Sequence, residues 1–232
     1  MTVFEKRHLG RTAVAVTTLG LGCATLGGSR VSVSREEAEA IVRAVWAAGV
    51  RYVDTAPFYG FGQSERCVGD ALREVPRDEW VLSTKVGRLL RPHVNPTATE
   101  SWQSRMPFDA VFDYSYDAIM RSFEDSLLRL GLARIDILYV HDIGAMQHGA
   151  DAHPEIMRTF RTSGYRALEE LRRAGRSVSA STSGKSCWRR WSGVSGTPSF
   201  SPGATPSSSR RRSMICCRNV FHQAYRSSLA AH

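Results

Sequence analysis

An aspartate, a tyrosine, a lysine and a histidine stand at or just beyond the ends of apolar runs. Asp54 follows Tyr52-Val53, Tyr59 lies in the glycine-rich stretch after it, Lys85 follows Val81-Leu82, and His141 follows Ile137-Leu138-Tyr139-Val140. A carboxylate, a phenol, an ammonium and an imidazole are groups that hold and exchange protons in catalysis. Each alone has a bland reading. An aspartate at a strand end is often a cap, a histidine there a satisfied structural residue, a lysine a snorkelling surface charge and a loop tyrosine simple packing. The coincidence of four carries the signal, because the C-terminal edge of a parallel α/β sheet is where ligands and catalytic groups gather.

The elements that must position them recur in a plain rhythm. Val14-Ala15-Val16 through Leu19-Gly20-Leu21-Gly22 reads as short strands, with a turn at Gly10-Arg11 before them. Ser34 and Glu37 form a capping box for a helix carrying Ala40, Ile41, Ala44, Val45 and Ala48 at helical spacing, ended by Gly49. Arg51 to Thr55 is the second strand, and Ser64 opens a helix to about Glu74. Trp80 to Lys85 is the third strand, a long loop follows, and Tyr114 to Leu130 is helical. Ile135 to Val140 is a nearly continuous apolar strand of the kind buried on both faces, and Tyr165 to Ala174 is a helix ended by Gly175. Repeated strand–helix units predict an α/β protein with a parallel sheet, either doubly wound or a barrel.

Composition narrows the function classes. The chain has 232 residues, and 42% of them are hydrophobic, which excludes global disorder. It has no run of eighteen apolar residues, against a helical membrane span. The opening MTVFEKRHLG lacks an apolar signal core, so a cytoplasmic protein is expected. Five cysteines without metal-ligand spacing argue against a disulfide scaffold and against a metal site.

The formal charge of +9 is unevenly held. Residues 1–176 carry 23 Lys+Arg against 22 Asp+Glu, whereas residues 177–232 carry 8 basic residues and no acid. That tail has 15 serines and 7 Leu, Ile, Val and Phe among its 56 residues, too few to bury a core, so it is expected to be disordered. The chain divides near residue 177.

The segments Leu19–Gly28, Tyr52-Val-Asp-Thr-Ala-Pro-Phe-Tyr-Gly60, Ser64-Glu65, Ser83-Thr-Lys-Val-Gly87, Ser126–Gly131 and Asp136–Asp142 closely resemble the aldo-keto reductase family over residues 6–176. Phe112–Asp125 more narrowly resembles its branch of D-threo-aldose (L-fucose) and pyridoxal dehydrogenases. The resemblance implies an NADP- or NAD-dependent oxidoreductase acting on an aldose or an aldehyde/alcohol. Tyr59 would be the general acid or base. Lys85 would lower its pKa from near 10, Asp54 would hold Lys85, and His141 would orient the substrate oxygen and share the proton. Gly22, Ala24 and Asp54 match positions lining the nicotinamide ribose. The implied partner is a small carbonyl or sugar substrate, with no metal.

The family folds as a (β/α)8 barrel of about 250 residues; four units are used by residue 176 and 56 residues remain. The expectation is therefore a partial TIM barrel of about four β/α units with an N-terminal hairpin. Ser177–Ser181 offers at most the stub of a fifth strand, and activity is expected to be impaired by truncation. Two accounts of the tail compete. One is a genuine basic appendage on a non-catalytic half-barrel, contacting nucleic acid through Trp188, Trp191 and Arg210–Arg212. The other, which explains more, is loss of the reading frame near residue 176. Ser, Arg, Ala, Gly, Pro and Thr make up 37 of the 56 tail residues, as GC-rich codons read out of register would yield, and on that account nucleic acid is not a partner.

Overall fold

Two short antiparallel strands, β1 (Lys6–His8) and β2 (Ala15–Thr17), form the expected N-terminal hairpin. Five parallel strands follow: β3 (Leu21–Gly22), β4 (Tyr52–Asp54), β5 (Val81–Val86), β8 (Ile137–Val140) and β9 (Ser179–Thr182). They lie side by side in that order. The protein is thus α/β with a parallel sheet, and the strand order lacks the reversal of a doubly wound sheet. The structure is a computed structural model describing residues 5–10, 12–94, 102–103 and 105–175, with the backbone of 179–182. These belong to one of two compact units, Met1–Ser192, whereas the second, Gly193–His232, lies outside the described residues. The expectations for a disordered or nucleic-acid-contacting tail fall there too. Among the described residues no helix is long and apolar enough to cross a membrane.

Helices α1 (Arg35–Ala47), α2 (Gln63–Leu72), α3 (Tyr116–Leu130), α4 (Ala145–Thr159) and α5 (Tyr165–Arg173) connect the parallel strands. The capping box at α1 is realised: Glu37 N–H donates to Ser34 Oγ at 3.1 Å, and Ser34 N–H donates to Glu37 Oε2 at 2.8 Å. Helix α3 starts after Tyr114 because Ser115 caps it, and it stops at Gly131 in the left-handed region. One sheet face, with Val53, Leu82, Leu138 and Val140, buries itself against Val42, Val68, Phe123 and Leu168 of the helices. The other face presents Tyr52, Asp54, Ser83, Lys85, Tyr139 and His141, as strand alternation requires.

Four features of the structure differ from the sequence expectations or extend them. The long loop after the third strand contains an antiparallel pair, β6 (Arg88–Pro92) with β7 (Phe108–Phe112), whose partners are too distant in sequence for local periodicity to reveal. Helix α4 was not expected, because Gly149 and Pro154 dilute its period; Gly149 is indeed non-helical, with φ 78°. The stub of a fifth strand is realised as β9, which pairs in parallel with β8 from Ile137↔Ser179 to Val140↔Thr182. Helix α2 starts at Gln63, one residue before Ser64, and ends at Leu72 instead of near Glu74, and the buried Ser64 hydroxyl donates to the Cys23 carbonyl at 2.7 Å.

Candidate active site

Parallel registration places the end of each strand beside the next. Gly22 pairs with Asp54 and Asp54 with Ser83, Lys85 pairs with Tyr139, and the His141 N–H continues the ladder to the Val86 carbonyl at 2.9 Å. The Lys85 ammonium donates to Asp54 Oδ2 at 2.8 Å and to the Thr55 carbonyl at 2.9 Å. Ser83 Oγ donates to Asp54 Oδ1 at 2.6 Å and lies 3.1 Å from the Tyr52 hydroxyl. Both carboxylate oxygens of Asp54 are therefore held.

Tyr59 comes from the turn after β4. Its backbone is packed so closely on Gly27 that a Cβ there would lie 2.4 Å from the Tyr59 carbonyl carbon, so Gly27 is required by the approach. Lys85 Nζ lies 4.5 Å from the Tyr59 ring centre. The His141 ring stands perpendicular to the Tyr59 ring at 6.0 Å. Its Nδ1 is buried without a partner among the described residues. Asp54, Tyr59, Lys85 and His141 thus converge at one sheet edge. Gly22 ends β3 at the same edge, where the next N–H, that of Cys23, donates to the Asp54 carbonyl at 2.8 Å, and Ala24 begins the following 3-10 turn.

The electrostatics depart from expectation. Burial pushes the Tyr59 phenol above its ordinary value, against the opposing pull of Lys85 and with a further push from Asp54. The expected lowering by Lys85 is not met, because lost hydration of the phenolate outweighs a cation that Asp54 already balances. Burial alone would depress Lys85, but Asp54 and Tyr59 outweigh it and hold the ammonium firmly protonated. Burial, then Lys85 and Arg88, push His141 down to about 2. The imidazole is therefore neutral and suits hydrogen bonding, not the acid role that proton sharing would need.

Other residues at the site escaped sequence reasoning. Trp102, bridged to Ser29, stacks near the Tyr59 ring at 6.0 Å and 29°. Phe58 packs edge-on against Trp102 and His141, at 5.4 and 6.1 Å. Arg88 bonds Asp142 and lies over Phe58 at 3.9 Å. Ser83 was within reach, since it shares the face of Lys85 two residues away; Trp102 had no such signal. Among the described residues no group of three or more His, Cys, Asp and Glu is placed to hold a metal.

The profile of the Aldo/keto reductase family matches residues 18–197. The chain belongs to the aldo/keto reductase family. It is 50% identical over 183 residues to pyridoxal 4-dehydrogenase of Microbacterium luteolum, covering 74% of this chain and 53% of that protein. To D-threo-aldose 1-dehydrogenase of a Pseudomonas species it is 40% identical, covering 70% of this chain and 48% of that one. The chain spans about half the length of these curated relatives. Among solved structures, an aldo-keto reductase from Pseudomonas aeruginosa superposes with a TM-score of 0.59 at 31% identity, over 79% of this chain and 62% of the other. A holo-form aldo-keto reductase from Bacillus halodurans gives 0.54 at 30% identity, over 78% and 51%.

Proposed function

We propose that this aldo/keto reductase chain carries the proton-transfer site of an NAD(P)-dependent oxidoreductase acting on an aldose or an aldehyde/alcohol. The observation that carries the reading is the Lys85 ammonium held between Asp54 and the Tyr59 ring, with the His141 ring alongside at 6.0 Å from that of Tyr59. We read the five sequentially ordered strands as the first part of a (β/α)8 barrel, with the division from the tail falling after β9. The names of the two relatives, a pyridoxal and an aldose dehydrogenase, support the substrate class.

The residues present fit the nicotinamide end of the cofactor. Gly22, paired with Asp54, and Ala24 at the start of the following turn add little bulk, and the orphaned His141 Nδ1 leaves a polar group for an incoming molecule. When bound, NADP or NAD supplies or accepts the hydride. Tyr59 Oη holds the proton exchanged with the substrate oxygen. Lys85 stabilises the phenolate as that proton leaves and so counters part of the opposing effect of burial. Asp54, fixed by Ser83, keeps the ammonium in place, and the aromatic wall of Phe58 and Trp102 limits access of water. His141 bonds the substrate oxygen as a neutral group.

The test measures binding of NADP and NAD by quenching of tryptophan fluorescence, and aldose or aldehyde turnover by nicotinamide absorbance, in the unmodified chain and in Tyr59→Phe. Binding of either nucleotide with turnover that disappears in Tyr59→Phe supports the reading. Absence of nucleotide binding, or turnover indifferent to Tyr59→Phe, refutes it.

A further inference from the structure

Arg88 lies just past the turn at Gly87, three residues beyond the site lysine, and its side chain is almost wholly buried. The guanidinium sits over the Phe58 ring at 3.9 Å and the Phe112 ring at 4.3 Å, while Nη2 donates to Asp142 Oδ2. Phe58 adjoins Tyr59, and Asp142 adjoins His141. One side chain thus bridges the two segments that carry the phenol and the imidazole. The bridged turn is tightly specified: Asp142 adopts φ 49°, uncommon for any residue but glycine, and the Tyr114 hydroxyl donates to the His141 carbonyl at 2.8 Å.

The oxygen that Arg88 takes, Asp142 Oδ2, also lies 3.6 Å from His141 Nε2. That is too long for a hydrogen bond. A carboxylate so near an imidazole would ordinarily swing to pair with it and favour its charged form. The fork of Arg88, locked between two aromatic faces, holds the carboxylate away.

We propose that Arg88 is a positioning residue for His141: by claiming the Asp142 carboxylate it keeps that oxygen beyond hydrogen-bond reach of the imidazole, so that His141 meets the reacting oxygen as a hydrogen-bonding group. The last clause rests on the function proposed above, whereas the arrangement itself does not. Three groups of other elements face the ring or its carbonyl: Lys85 of β5, Tyr59 of the turn after β4, and Tyr114 before α3. Lys85 and Arg88 oppose a charge on the ring, in the same direction as its burial. Removing Arg88 deletes one opposing cation and the guanidinium that holds Asp142 Oδ2.

The test is NMR of the full chain with labelled histidine, His141 being assigned among the seven histidines by loss of its signal in His141→Gln. The unmodified chain is expected to keep His141 neutral at pH 5. In Arg88→Met the protonated fraction at that pH rises about a hundredfold, the effect of an opposite charge within reach. In Arg88→Met combined with Asp142→Asn it falls back, and in Asp142→Asn alone His141 stays neutral. An unchanged protonated fraction of His141 in folded Arg88→Met, or no reversal by Asp142→Asn, overturns the proposal. So does a charged His141 at pH 5 in the unmodified chain, a result that needs neither Arg88→Met nor Asp142→Asn to fold. These readouts require no turnover, so they stand or fall separately from the NAD(P)-dependent activity.

Discussion

Lowering the pH should destabilise this protein through one residue in particular. Unfolded, the His141 imidazole takes up a proton below about pH 6.5. Folded, it stays neutral down to about 2, because burial and the cations Lys85 and Arg88 resist the charge. Between those values the unfolded chain binds a proton that the folded one refuses, so stability is fully present above pH 6.5 and falls as the pH drops through the window. The linkage slope is about 1.4 kcal/mol per pH unit, so between pH 6.5 and 5 the residue costs about 2 kcal/mol. The assay is urea unfolding of the unmodified chain and of His141→Gln at several pH values from 7.5 to 5. Carboxylates and other histidines contribute equally to both proteins, so the difference between the two pH profiles isolates His141. The unmodified chain should lose about 2 kcal/mol more than the variant over that range. Parallel profiles would refute the claim that this imidazole is held neutral by its surroundings.

Replacing Tyr59 by Phe should lower turnover by about 100-fold or more while leaving nucleotide affinity within about twofold, read by steady-state kinetics and fluorescence titration. Gly87→Ala should destabilise by about 1–3 kcal/mol, since φ is 95° there and a Cβ would meet the Tyr114 ring at 2.5 Å; urea midpoints measure it. Arg129→Met should cost about 3–5 kcal/mol, because Arg129 Nε pairs at 2.5 Å with the fully buried Glu65, which would lose that cation and keep only the Thr84 hydroxyl at 2.6 Å. Adding Glu65→Gln should recover much of that loss in the same measurement. Phe123→Ala should cost about 3–5 kcal/mol, the side chain being fully buried in the core, with thermal unfolding as the readout.

The parts of the fold legible in sequence are those whose cause is local. Ser34 and Glu37 are three residues apart and bond each other's backbone, so their helix start can be read directly. The apolar period of α3 and the short runs that became β4, β5 and β8 were visible for the same reason. The four site residues were legible because each stands at or just past a strand end, and parallel strands bring such positions to one edge. The β6–β7 pair was not legible, since Arg88 and Phe112 meet across a long intervening stretch. Helix α4 was hidden by a glycine and a proline that its neighbours tolerate.

The charge states at the site divide in the same way. Residue type and spacing determined that a carboxylate, a phenol, an ammonium and an imidazole would be present together at a sheet edge. Only the tertiary structure decided their protonation, because desolvation depends on what covers a group. Trp102 and Phe58 pack about the Tyr59 and His141 rings, and Arg88 takes the acid beside the imidazole. Those partners come from separate loops and strands, so a sequence can name the groups while the energy of ionising them belongs to the folded environment.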